Sequence, residues 1–363
     1  MTSSSTANLK AASATNAPPQ FVEALFQGIN GYFKDNNLSK KGDWTMGLKV
    51  ALALIWWAAT FVTLYAFELS YWQFLLIYVL HLGTAQTNIL FNIPHDANHR
   101  AISQKPLVNK LLSYTFDLCG MSSYIWRFLH HRAHHYCVNV EGEDETLIAR
   151  GIFRFSPHSR RRKMHRYQHL YVFFAYGFFM IDWVLFKDWQ YFFFSDFYRV
   201  KGVKHPIKEY VALFVGKAFY YTYMLVLPIV VLEFSLWQVL LAFFLVEFFI
   251  GISTTSVLQV VHPVGEADCP KNNNDYENFV YHIFATTADY SARNPLANWF
   301  WGGLNLHVVH HLNPYICHIH FPKLTEIVKA TAKEYGVEYR ENKSIFQALA
   351  QHYSFMKRLA TLD

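Results

Sequence analysis

Nine of the nineteen histidines in this 363-residue chain fall into three tight clusters. His95 and His99 stand in HDANH, His130, His131, His134 and His135 in HHRAHH, and His307, His310 and His311 in HVVHH. Neutral imidazole is the commonest protein ligand for borderline metals. Spacings of three and four residues put side chains on one face of a helix. In a strand, adjacent His310 and His311 would point to opposite faces, so shared coordination favours helical placement. A catalytic zinc takes about three protein ligands. Nine imidazoles therefore oversupply one ion, and two metals with four or five ligands each would use the whole set. His262, in QVVHPVGE, is the natural tenth member. HDANH differs from the zinc-protease HExxH, because Asp96 stands where the glutamate base belongs, which weighs against a membrane zinc hydrolase. A paired non-haem iron centre beside a membrane suits activation of O2 as co-substrate and attack on an unactivated C–H bond. Asp96, Asn98, Arg132, Asn139, Asp144 and Asn305 are candidate partners that orient the imidazoles.

The clusters need elements that carry them to one place. Apolar residues make up 53% of the chain, aromatic residues 18% and charged residues only 16%, the profile of a polytopic membrane protein with polar mass outside the bilayer. A span takes about 20 mostly apolar residues, and four stretches qualify, at about 47–67, 71–90, 211–232 and 236–257. Lys49 and Lys217 sit near span ends, where long side chains can snorkel to the interface; Glu247 is deeper. A fifth stretch, 169–186, is aromatic but carries Asp182 and runs into Lys187 and Asp188. The second and third clusters can share a site only if an even number of spans separates them, so 169–186 reads as an interfacial or re-entrant helix. A metal transporter would distribute ligands along its spans, yet only His81 lies inside one.

Basic residues set the orientation. Lys34, Lys40 and Lys41, the run from Arg150 to Arg166 and the C-terminal tail are basic, whereas the short connections around Glu68 and Glu233 carry no Lys or Arg. The positive-inside rule then puts both termini and all three clusters in the cytoplasm. The net charge of +6 belongs to this membrane-facing side, not to nucleic-acid binding; the arginines at 160–162 meet lipid headgroups or an acidic partner. Cys119, Cys137, Cys269 and Cys317 all fall in cytosolic segments, where disulfides are rare, and with no CxxC pair they read as incidental. Residues 1–20 are rich in Ser, Thr and Ala and read as disordered, without the apolar core of a signal peptide. Phe21, Leu25, Ile29 and Phe33 then form an amphipathic pattern suited to lying on the bilayer.

HDANH, WRFLHHRAHHYCVNVEGED, QVVHPVGE and NWFWGGLNLHVVHHLNPYICHIHFPKL resemble the boxes of membrane fatty acid desaturases. They are most similar to the front-end (Δ6-type) acyl-lipid desaturases of bacteria, over residues 21 to about 355. The resemblance implies one all-α domain over 21–363, with four transmembrane helices carrying a cytosolic helical cap and a histidine-rich di-iron site. It implies O2-dependent desaturation of a long-chain fatty acyl group, with hydroxylation, acetylenation or decarboxylation to a terminal alkene as other outcomes of the same centre. Two departures stand out. The third box of that family usually starts with glutamine, where this chain has His307. The second box is spelled HxxxHH by His130, His134 and His135, but His131 also makes HxxHH, so His130 and His131 both remain candidate ligands. HPVG at 262–265 follows a span directly, with no haem domain around it. Electrons are therefore expected from a separate protein, a ferredoxin or cytochrome b5 with its reductase.

Overall fold

The computed structural model describes residues 19–147, 151–194, 203–262, 267–272, 275–276 and 278–362. The disordered segment expected at 1–20 lies outside them except for its last two residues, which already belong to α1 (Pro19–Asp35). Four helices are long and apolar enough to cross a membrane: α2 (Trp44–Ala66), α3 (Tyr71–Asn98), α7 (Ile207–Val231) and α8 (Leu236–Gln259). Between and after them lie α4 (Ser123–Ala133), α5 (Lys163–Tyr176), α6 (Phe178–Phe193), α9 (His307–Leu312), α10 (Phe321–Glu334) and α11 (Ile345–Thr361). Strand structure among the described residues is one parallel pair of two-residue strands, Asp289–Tyr290 beside Glu341–Asn342.

The two hairpins of spans are built alike. In Ser70-Tyr-Trp-Gln73 and Ser235-Leu-Trp-Gln238 the serine N–H donates to the glutamine Oε1 at 3.0 Å, which closes a capping box at the start of α3 and of α8. The tryptophans between them, Trp72 and Trp237, are 73% and 78% exposed, as expected where a bilayer meets water. On α2 a stripe of Met46, Lys49, Ala53, Thr60 and Leu64 is buried, while Leu48, Leu52, Ile55 and Val62 face outward. An apolar stripe that would be a liability in water is the natural lipid face of a span. Helix α3 is covered almost all round from Leu82 onward. It runs past the expected end near residue 90, so His95 stands on the last turn of the same helix.

Three local expectations change. Phe21, Leu25, Ile29 and Phe33 do not face lipid; they pack on Leu324, Val328 and Ala332 of α10, with Phe21 against Tyr281 and Phe284. The protein's own apolar surface outcompetes the bilayer for that stripe. The stretch expected as one helix over 169–186 is two, α5 and α6, bent by 68° at Gly177. A Cβ on Gly251 of α8 would lie 2.5 Å from the Gly177 carbonyl oxygen, so this glycine pair lets the bend sit directly on the span. Lys49 and Lys217 do not snorkel but are buried. Lys217 donates to the carbonyls of Gly120 and Val184 at 2.8 and 2.7 Å and pairs with Asp188 at 2.9 Å. Helix α11 clamps α5 from outside, through Tyr176 to His352 at 2.6 Å and Gln168 Nε2 donating to the Met356 carbonyl at 2.9 Å.

Candidate metal centre

All three histidine clusters and His262 converge. Two sets of four imidazoles form, His95 with His99, His130 and His310, and His134 with His262, His307 and His311; within each set one nitrogen per ring lies within 4.8 Å of the others. His135 stands between them, grouped with His310 and His311, its Nε2 3.0 Å from both His130 Nε2 and His310 Nε2. His131 joins no set; its ring stacks on His99 at 4.6 Å. The second box does not present one helical face. Helix α4 stops at Ala133, which sends His130 to one set and His134 to the other. In α9 the helical spacing holds: His307 and His311, four apart, serve one set, and His310, about 100° round the helix from His311, serves the other.

The outer nitrogens are tied down. Asp144 Oδ1 lies 3.0 Å from His134 Nδ1, and Asp96 Oδ1 3.3 Å from His95 Nδ1. The carbonyls of Leu304 and Thr286 lie 2.9 and 3.4 Å from the Nδ1 of His307 and His262. An Nδ1–H donated outward leaves Nε2 as the inward lone pair. The buried Nε2 atoms of His95 and His99 have no hydrogen-bond partner, a costly state that a metal ion would relieve. Burial, then crowding by neighbouring imidazoles, holds His99, His130, His135, His307, His310 and His311 well below the ordinary histidine range and His262 down to about 3. These seven imidazoles are thus held towards the neutral form, the form that binds metal. Burial alone would raise the Asp144 carboxyl, but His134 beside it keeps it low.

The other candidate partners act at a distance. The Asn139 N–H donates to Asp144 Oδ2 at 2.8 Å and its amide to the His262 carbonyl at 3.3 Å, which fixes two loops rather than a ring. Asn98 donates to the Pro94 carbonyl, Asn305 to the Tyr290 carbonyl and the Asn298 side chain, and Arg132 stands over Phe128. Several groups that contact the cluster or anchor its elements carry no signal in the sequence pattern. His318, in the quoted HIHFPKL, places Nδ1 2.7 Å from Asp96 Oδ2 and Nε2 2.8 Å from Lys49 Nζ, so the lysine assigned to the interface ends a hydrogen-bonded chain to His95. Cys317, read as incidental, belongs to the same knot with Asp96 and His318. Asp289 Oδ1 accepts the Val308 N–H at 2.9 Å and so anchors the first turn of α9. Ahead of that helix, Gly302 has φ +59°, and a Cβ there would lie 2.4 Å from the Phe91 carbonyl oxygen; only glycine lets the third box close on α3.

A cavity of about 560 Å³ reaches both sets, touching His95, His130, His134, His262 and His307. Its remaining wall is mainly apolar, with Phe91, Phe116, Met121, Trp126 and Phe179 among the lining, and Trp126 stacks on His130 at 4.1 Å. A cavity of this size with a mainly apolar wall suits an apolar ligand. The chain is 33% identical over 343 residues to the sn-1 linoleoyl-lipid 6-desaturase of Arthrospira platensis, an overlap of 94% of this chain and 92% of that protein. It is 32% identical to the sn-1 linoleoyl-lipid 6-desaturase of Synechocystis sp., over 93% of this chain and 95% of that one. The acyl-lipid (8-3)-desaturase of Physcomitrium patens is 28% identical over 98% of this chain and 75% of its own length. Residues 70–343, which hold every box histidine and three of the four apolar helices, match the model of the fatty acid desaturase family, and to that family this chain belongs.

Proposed function

We propose that the protein desaturates a long-chain acyl group carried in a membrane lipid, consuming O2 at a pair of irons. Support comes above all from one observation: two four-imidazole sets with His135 between them, opening on one apolar cavity. His95, His99, His130 and His310 would hold one iron, and His134, His262, His307 and His311 the other. When bound, the irons supply the O2 chemistry that removal of hydrogen from an unactivated methylene requires. The chain's own residues do the rest. Asp96 and Asp144 hold His95 and His134 in register, Trp126 and Phe116 wall the acyl chain beside His130, and the apolar lining excludes water. Overall, one CH2–CH2 unit, O2, two electrons and two protons give CH=CH and two waters. The electrons come from a separate ferredoxin or cytochrome b5. Both termini and the centre face the cytoplasm, opposite the exposed Trp72 and Trp237.

Expression in a host with abundant saturated lipid, followed by mass spectrometry of the fatty acids, tests the reaction. A cis alkene two hydrogens lighter than its precursor is expected, and it should vanish with His134→Ala or His310→Ala. Hydroxylated, acetylenic or one-carbon-shorter products would reject desaturation, and full activity with zinc and no iron would reject the metal. Cysteine labelling at Glu68 and Glu233 against Arg161 tests the orientation.

A further inference from the structure

The acyl cavity contains a charged pair that the chemistry above does not use. Lys187 is the only Lys or Arg among its described lining residues, and its ammonium pairs with Glu145. Both side chains are largely out of water, 11% and 13% exposed. The ammonium also lies over the Trp183 ring at 4.0 Å and the Phe179 ring at 5.5 Å. Rings and carboxylate together hold the charge inside an apolar wall. An ion pair taken from water repays its desolvation only with good geometry and added hydrogen bonds, so this pair in a mainly apolar wall gains from a polar ligand.

Glu145 follows Asp144, which holds His134, and Gln259, three residues before His262, donates its Nε2–H at 3.3 Å to the carbonyl of Thr146. The pair is therefore tied to both sides of the second imidazole set. An ammonium has three donors and can give one to a carbonyl oxygen while keeping Glu145. The other charged lining residue is Asp182. A free carboxylate would thus meet one cation and two acids, whereas an ester carbonyl brings no charge to repel.

Resting on the acyl-desaturase reading, we propose that Lys187 and Glu145 form a subsite for the neutral carbonyl of an ester-linked acyl group. Its distance from the imidazoles then fixes the reacting carbon by counting from the carboxyl end. Glycerolipid ester and coenzyme A thioester share this chemistry.

Full-length protein in detergent is titrated with a phosphatidylcholine bearing one parinaroyl chain, with parinaroyl-coenzyme A and with free parinaric acid. Energy transfer from the cavity tryptophans Trp126 and Trp183 reports binding. At least one ester probe should bind about tenfold more tightly than the acid, and the tighter of the two identifies the carrier. Lys187→Met should weaken ester binding about tenfold and scatter the double bond over several positions in expressed lipid, and Lys187→Arg should restore both. Glu145→Gln should shift preference towards the acid. The subsite is rejected if wild-type protein binds acid as tightly as both esters, a result readable even if Lys187→Met fails to fold. It is equally rejected if Lys187→Met keeps wild-type ester affinity and product position. Absence of any unsaturated product from the wild type overturns the underlying reading, and this proposal with it.

Discussion

The adjacent histidines His130 and His131 share one chemistry but stand differently at the imidazole cluster. His130 belongs to the set with His95, His99 and His310, whereas His131 stacks on His99 with its own Nε2 buried and unpartnered. For a four-ligand site worth about 10–16 kcal/mol, one ligand contributes about 2.5–4 kcal/mol. His130→Ala should therefore weaken one of two sites by two to three decades. His131→Asn gives up one ring stack, worth about 0.5–1.5 kcal/mol, and sacrifices no hydrogen bond through its Nε2. Purified variants should differ plainly in iron per chain by plasma mass spectrometry and in resistance to a competing chelator. The His130 variant should hold close to one firmly bound iron and no activity; the His131 variant should hold two, with a slightly lower melting temperature. Loss of iron from His131→Asn while His130→Ala keeps both would refute the assignment, and with it the argument that nitrogen geometry outranks box spelling.

Asp144→Asn leaves His134 without its carboxylate partner and should lower metal affinity about 10–100-fold, read by chelator competition. Lys49→Met removes the cation 2.8 Å from His318 Nε2; about tenfold weaker metal retention is expected, with recovery in Lys49→Arg, and equal retention in all three proteins would remove Lys49 from the centre. Gly302→Ala puts a Cβ 2.4 Å from the Phe91 carbonyl at φ +59°, which should cost at least about 2 kcal/mol and show as a lower yield and melting temperature. Chelation of wild-type protein should lower its thermal stability, since ligand at about 1,000 times its Kd contributes about 4 kcal/mol per site. The same treatment should move His310→Ala about half as far, because that variant keeps the second imidazole set intact.

The box histidines and spans were legible because each rests on local pattern: i, i+3 and i, i+4 spacing for imidazoles, and twenty-residue apolar windows for helices. His262 was legible too, from its place just past a span. What stayed hidden depends on pairs far apart in sequence. Nothing near Lys49 shows that His318 waits 269 residues later, so a span-end lysine reads as interfacial. The stripe of Phe21, Leu25, Ile29 and Phe33 is equally suited to lipid or to another helix, and only α10 decides between them. The Gly177–Gly251 contact sets the 68° bend of α5 on α6, while composition alone describes a continuous apolar run. The second box misled in another way, because a strict helical period was extended past Ala133, where the helix ends.

Neither imidazole set is local. The first draws on the end of α3, on α4 and on α9, and the second on the turn after α4, the exit of α8 and α9 again. Helix α9 alone serves both, its His310 and His311 turned to opposite sets with His135 between them. Small errors in the placement of α9 would therefore misalign both imidazole sets together. The fixings on that helix follow from this: Asp289 on the Val308 N–H, Gly302 letting its approach touch α3, and the Leu304 carbonyl on His307. The membrane helices contribute more than an anchor. Through Lys49, His318 and Asp96, α2 reaches His95 by a chain of contacts of 2.8, 2.7 and 3.3 Å. A span displaced in the bilayer would pull on that chain. The same packing that buries α3 between its neighbours thus sets where His95 stands relative to the cavity, and span assembly and site geometry are one structural problem.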